Sequence, residues 1–217
     1  MDIVTGVGVL DKAVHVLRAV AERPRTLAAL QSATGLPRAT AHRLAVALEA
    51  HGLLRRDDDG RFDLGPELAS LGREAARRFP LAEIARAVIE RLRDETGESA
   101  QLFVREGNAR RCVLSLQSPH ALRWIVPEGV LFPLGVGSAG RVLSGEAASA
   151  GWIESVEERE PGVASVSAGV IDGNGELVAA VSVSGPIERM TRQPGAVFGG
   201  RVVAAAGALA MALGTGG

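Results

Sequence analysis

The 217-residue sequence predicts an α+β protein of two domains, with small helices and a hairpin first and an antiparallel sheet afterwards. Three observations carry the prediction. Three short helical segments follow one another up to residue 52, the first with apolar residues at spacings of three and four, and each stops at a Pro or a Gly. An Asp57-Asp58-Asp59-Gly60 turn then separates two short segments that read as strands. From Gly97 onward the pattern changes to short alternating or apolar runs divided by turn residues.

The elements follow in order. Leu10, Ala13, Val14, Leu17 and Ala21 make one face of an amphipathic helix that Pro24 stops. Thr26 can cap a second helix over residues 27–34, closed by Gly35, and Pro37 suits the first turn of a third that runs to His51 before Gly52. Residues 53–56 and 61–64 flank the Asp-Gly turn as a hairpin. Three helices closed by such a wing form a winged helix-turn-helix, expected over residues 1–65. A helix over 66–79, with Leu68, Leu71 and Ala75 on one face, reads as a linker (domain boundary 66–80), and a further helix spans 81–96. The second domain, 81–217, is expected to hold strands at 100–105, 111–116, 122–126, 163–171 and 176–184. Helices are expected at 138–144 and 194–213, and the 214–217 end is expected to fray.

In a winged helix-turn-helix, the amino end of the third helix enters a DNA major groove. Leu44, Ala45 and Leu48 can face inward there, together with Ala41. Arg38, Thr40, His42 and Arg43 lie near the end that would insert. Ala41 counts in both sets, because short side chains keep the backbone close to the bases. Arginine supplies bidentate hydrogen bonds to guanine or charge to phosphate. Arg55, Arg56 and Arg61 on the wing can reach flanking phosphates or the minor groove. The acidic run 57–59 would repel phosphate, so it is expected to form the turn itself. The bland reading of the same elements is a protein-interaction module with solvated arginines.

Composition narrows the function classes. The formal net charge is −1, and residues 1–66 are near balance as well, so only local clustering of arginine points to nucleic acid. One cysteine, Cys112, excludes an internal disulfide framework and a multi-cysteine zinc site, and suits a reducing cytoplasm. No metal or other cofactor is expected. The most apolar stretch, residues 202–213, is too short to span a bilayer and reads as a buried helix, so no membrane partner is expected. An enzyme would need Cys112 or Ser138 as nucleophile with His120 as base, and no nucleophile elbow, phosphate loop or metal cluster supports one.

The motifs Val9-Leu10-Asp11-Lys12-Ala13, Thr34-Gly35-Leu36-Pro37-Arg38-Ala39-Thr40-Ala41-His42-Arg43-Leu44 and Glu95-Thr96-Gly97-Glu98 occur together with Ser118-Pro119 and Glu158-Arg159-Glu160-Pro161-Gly162-Val163. In that combination the chain resembles the IclR family of bacterial transcriptional regulators over nearly its whole length. Gly97-Glu98-Ser99-Ala100-Gln101-Leu102 and Ser184-Gly185-Pro186-Ile187-Glu188-Arg189 resemble the actinobacterial branch tied to amino-acid metabolism, especially leucine biosynthesis. The resemblance implies a GAF-like α/β effector-binding domain and a homodimer or dimer of dimers on a palindromic operator in double-stranded DNA. It also implies a small-molecule effector, an amino acid or small organic acid. Its pocket would be lined by the backbone at Gly137, Ser138 and Ala139, by Asp172, Ser182 and Ser184, and by Cys112 from a neighbouring strand. Two departures stand out. Family members carry a helical insert where this chain has only residues 146–159, and an Ala-Pro-Val where it reads Ala168-Gly169-Val170. The alternative they leave open is a constitutive DNA-binding dimer without effector response.

Overall fold

The computed structural model describes residues 7–78 and 80–214. Phe79, at the end of the expected linker helix, and residues 215–217, expected to fray, lie outside them. The chain divides into two compact units, Met1–Phe79 and Pro80–Gly217.

The first unit runs α1 (Gly8–Glu22), α2 (Leu27–Thr34), α3 (Arg38–Ala50), β1 (Leu54–Arg56), β2 (Phe62–Leu64) and α4 (Pro66–Arg78). Local chemistry sets the helix ends. The Thr26 hydroxyl accepts the Ala29 N–H at 3.2 Å, and Gly35 closes α2 in the left-handed region at φ 65. Pro37 occupies the cap position of α3 rather than its first turn. Val16, Ala19, Val20 of α1, Leu30 of α2, Ala45 and Leu48 of α3, and Leu54 and Phe62 of the hairpin form one core. Arg25 fastens the hairpin to it: its backbone pairs with Phe62, and its buried guanidinium donates to the Ala19 carbonyl at 2.6 Å. Gly65 is obligatory, since a Cβ there would overlap the Gly52 carbonyl.

The second unit contains α5 (Leu81–Thr96), β3 (Ser99–Glu106), β4 (Ala109–Leu116), β5 (Leu131–Pro133), α6 (Ser138–Leu143), β6 (Ile153–Val156), β7 (Val163–Ile171), β8 (Leu177–Pro186), α7 (Ile187–Met190) and α8 (Pro194–Gly214). Its six strands form an antiparallel sheet in the order β5-β4-β3-β8-β7-β6. α5 and α8 cover one face. There Ile89, Leu92, Val202 and Leu209 pack on Leu102, Leu114, Val166, Val181 and Val183. A smaller core on the other face joins α6 to Phe103, Cys112, Val126, Ile153 and Ala180.

Several expectations need correction. Residues 122–126 form no strand. They run irregularly across the α6 side of the sheet, with the Ser99 hydroxyl donating to the Trp124 carbonyl at 2.7 Å. β5 and β6 were missed because each has too few residues to show a period. The carboxyl-terminal helix is 21 residues, long and apolar enough to cross a membrane by composition. Its place is nonetheless on the sheet: Gly195 and Gly199 lie against the Trp152 indole so closely that a Cβ at either would overlap the ring.

Candidate nucleic-acid interface and ligand pocket

The helical period sorts α3 into two faces. Ala41 and Ala45 are fully buried and Leu48 nearly so, while Arg38, Ala39, His42, Arg43 and Val46 are exposed and Thr40 is half-buried. Ala41 therefore packs inside and cannot reach a base, which removes it from the expected reading set. Ala39 and Val46 were overlooked; they extend the same exposed row and offer apolar contact of the kind that suits a thymine methyl. The side chains of Arg38, His42 and Arg43 make no hydrogen bond or ion pair among the described residues.

The wing differs. Each of its arginines already has an anionic partner. Arg55 meets Asp63 at 2.5 Å, Arg61 meets Asp57 at 2.7 Å and Asp59 at 2.8 Å, and Arg56 lies 3.3 Å from Glu49 with its guanidinium over the Phe62 ring. Asp57 builds the turn, accepting the Asp59 and Arg61 N–H groups, and the hydrogen bond from the Arg61 side chain holds its carboxyl below the ordinary range. The row on α3 is free to bind an anion, whereas the wing arginines must first leave a carboxylate.

In the second unit a small pocket of about 40 Å³, open to solvent on one side, lies on the α6 face of the sheet. Strand alternation brings Gln101 of β3, Ser165 and Ser167 of β7, and Ser182 and Ser184 of β8 to this face. Their hydroxyls form a chain with Ser138 at the start of α6. Ser138 bonds Ser165 and Ser167, each at 2.7 Å, and Ser167 donates to Ser182 at 2.8 Å. Ser184 donates to the Gln101 carbonyl oxygen at 2.9 Å, leaving the buried Gln101 amide nitrogen without a partner.

The other wall is cationic. Between the pairs Leu102↔Leu114 and Phe103↔Cys112, Val113 is an extra residue, a bulge that turns Cys112 and Arg110 to the pocket side while Leu114 stays in the opposite core. Arg110 is 2% exposed. It donates to the Pro133 carbonyl and lies 5.5 Å from the centres of Phe103 and Phe132, but its Nε has no partner. Arg159 lies 4.2 Å over Phe132 and 5.5 Å from Trp124. Burial pushes Arg110 down to about 10, with the Arg159 charge adding to it, and burial also lowers Arg159. Gly140 makes the room, since a Cβ there would overlap the Arg110 guanidinium.

The expected effector residues divide accordingly. Gly137, Ser138, Ala139, Ser182 and Ser184 line the pocket. The Gly137 N–H, however, already donates to Glu158 at 2.9 Å, and Glu158 also pairs with Arg141 at 3.0 Å. Cys112 is fully buried among apolar groups and outside the lining, its thiol pushed up to about 12 mainly by burial. Asp172 lies outside the lining too. It accepts the Asn174 and Glu176 N–H groups at 2.9 Å and shapes the β7–β8 turn.

Comparison with known families matches the IclR helix-turn-helix domain to residues 9–58 and the carboxyl-terminal domain of the bacterial transcriptional regulator IclR to residues 73–150 and 145–211. The chain belongs to the IclR family. It is thus a DNA-binding transcriptional regulator with an effector-binding domain, not an enzyme. Among IclR-family relatives it is 30% identical to the glycerol operon regulatory protein of Streptomyces griseus, covering 83% of this chain and 85% of that one. It is 34% identical to the HTH-type regulator KipR of Bacillus subtilis over 54% of this chain and 47% of the relative. The fold is shared with an IclR homolog of Microbacterium hydrocarbonoxydans crystallised with 4-hydroxybenzoate, at TM-score 0.79 and 21% identity, over 94% of this chain and 98% of that one. The two pieces of the carboxyl-terminal match overlap at residues 145–150, and residues 144–152 join α6 to β6 without a helix. At the second departure, Gly169 lies against Leu177 and Val142, where a Cβ would crowd the Leu177 methyl. Sequence reasoning missed Gln101, Arg110 and Arg159.

Proposed function

We propose that the chain acts in the cytoplasm as a homodimer, or a dimer of dimers, that reads a palindromic operator through Arg38, Thr40, His42 and Arg43 of α3. The observation that carries this is the exposed row on α3, whose cations are unpaired while those of the wing are engaged. One module makes few phosphate contacts, and a two-fold dimer doubles them. Control is by a small organic acid or amino acid in the β3–β8–α6 pocket. Its support is the unpartnered Gln101 amide nitrogen and Arg110 Nε and, by analogy, the 4-hydroxybenzoate bound to the Microbacterium homolog. Likeness of residues 97–102 and 184–189 to the actinobacterial branch supports target genes of amino-acid metabolism, including leucine biosynthesis. A constitutive dimer would have no use for a buried guanidinium without a counter-ion.

The test is selection of bound duplexes from a random pool, followed by titration of the enriched sequence at two salt concentrations. Specific affinity should fall steeply with salt, and Arg43→Ala should weaken it tenfold or more. Enrichment of no sequence, or binding indifferent to Arg43→Ala, contradicts the proposal.

A further inference from the structure

The ligand pocket has an electrostatic requirement beyond that of a generic effector site. The Arg110 and Arg159 guanidinium groups lie 5.5 and 4.2 Å from the centre of the same Phe132 ring, and the Arg159 charge acts on Arg110, so two cations share one partly desolvated wall. Neither has a carboxylate at ion-pair distance among the described residues. Glu158 is held by the Gly137 N–H and Arg141, and Glu160, exposed on the pocket rim, offsets the Arg159 charge only from beyond ion-pair distance. Arg110 Nε and the Gln101 amide nitrogen, both buried, are donors left without acceptors. The opposite wall offers only hydroxyls, already linked in a chain.

We infer that the pocket is built for a dicarboxylate: one carboxylate is taken by Arg110 together with the Gln101 amide, and the second by Arg159. This rests on the pocket being the effector site. Planar guanidinium forks match carboxylates in two parallel hydrogen bonds. A monocarboxylate neutralises one cation and leaves the other facing it. A zwitterionic amino acid brings an ammonium toward two cations, with only the rim Glu160 to receive it. The serine hydroxyls suit a hydroxyl or keto oxygen on the linking carbons.

The test is calorimetric titration of the full chain with malonate, succinate and glutarate, with butyrate and 4-hydroxybenzoate, with leucine, and with glycerol 3-phosphate as a phosphate dianion. At least one dicarboxylate should bind ten times or more tighter than every monocarboxylate and than leucine. Arg159→Gln should reduce that preference to about twofold while keeping monocarboxylate binding; Arg110→Gln should lose both. Arg110→Lys, which keeps a cation, and circular dichroism of each variant separate lost binding from lost fold. A monocarboxylate, leucine or the phosphate ester binding as tightly as the best dicarboxylate overturns the dicarboxylate assignment and leaves the effector reading standing. If no acid binds, and none changes operator affinity, the effector reading itself fails.

Discussion

Replacing Arg110 by Met should make the unliganded protein more stable, which is unusual for a large buried residue. Arg110 is 2% exposed, and burial with the neighbouring Arg159 pushes its pKa well down, to about 10. A displacement of that size corresponds to roughly 3 kcal/mol against the charged form, before solvent at the open side of the pocket reduces it. Met fills a similar stem volume and conforms to the Phe103 and Phe132 rings. It gives up the hydrogen bond to the Pro133 carbonyl, worth about 1–2 kcal/mol, and that carbonyl belongs to an exposed residue that water can reach. The net expectation is a gain of about 1 kcal/mol, or roughly 3 °C in the transition of the second unit. Urea titration by circular dichroism, with scanning calorimetry in parallel, measures it. A loss of about 2 kcal/mol or more would mean that Arg110 is a structural strut, and the argument from an unsatisfied cation would collapse.

Other outcomes follow from the same packing. Cys112 should resist alkylation in the native protein and react fully on unfolding; because the folded thiol titrates near 12 against 9.0 unfolded, the folded state holds the proton longer, and stability should fall as pH rises from 9 to 12. Rapid native labelling would put the thiol in the pocket after all. Gly199→Ala should destabilise by roughly 1–2 kcal/mol through overlap with Trp152 despite better helix propensity, whereas Gly207→Ala, with open space around it, should stabilise by up to about 1 kcal/mol; equal effects in denaturant titrations would refute the Trp152 contact. Asp63→Asn releases Arg55, so non-specific DNA affinity at low salt should rise and the salt slope steepen by about one per protomer. An unchanged slope would show that the freed arginine finds no phosphate.

What the sequence revealed follows the range of the interactions involved. The helices of the first unit are bounded by Thr26, Gly35, Pro37 and Gly52, each acting within one turn of its own position, and they could be placed from the chain alone. Ala41 was ambiguous because an alanine suits both a core and a groove; only its complete burial in the folded unit decides. In the second unit, alternation disclosed the long strands β7 and β8 and hence the serine row. The cationic wall was invisible for two reasons. The Val113 bulge breaks the alternation that would have assigned Arg110 a face, and Arg159 and Trp124 come from irregular segments far apart in sequence. Asp172 was misassigned because the local demand of an Asp-Gly-Asn turn outweighed its likeness to a pocket position.

The claim on which the rest depends is that α3, rather than the wing, carries the free charge that grips DNA. Titrating the selected operator with the wild-type chain, Arg43→Ala and Arg55→Ala across a salt series tests it most directly. Arg43→Ala should cost tenfold or more in affinity, and Arg55→Ala, whose guanidinium is engaged by Asp63, less than threefold. The reverse order, with Arg55→Ala abolishing binding and Arg43→Ala tolerated, would contradict the account.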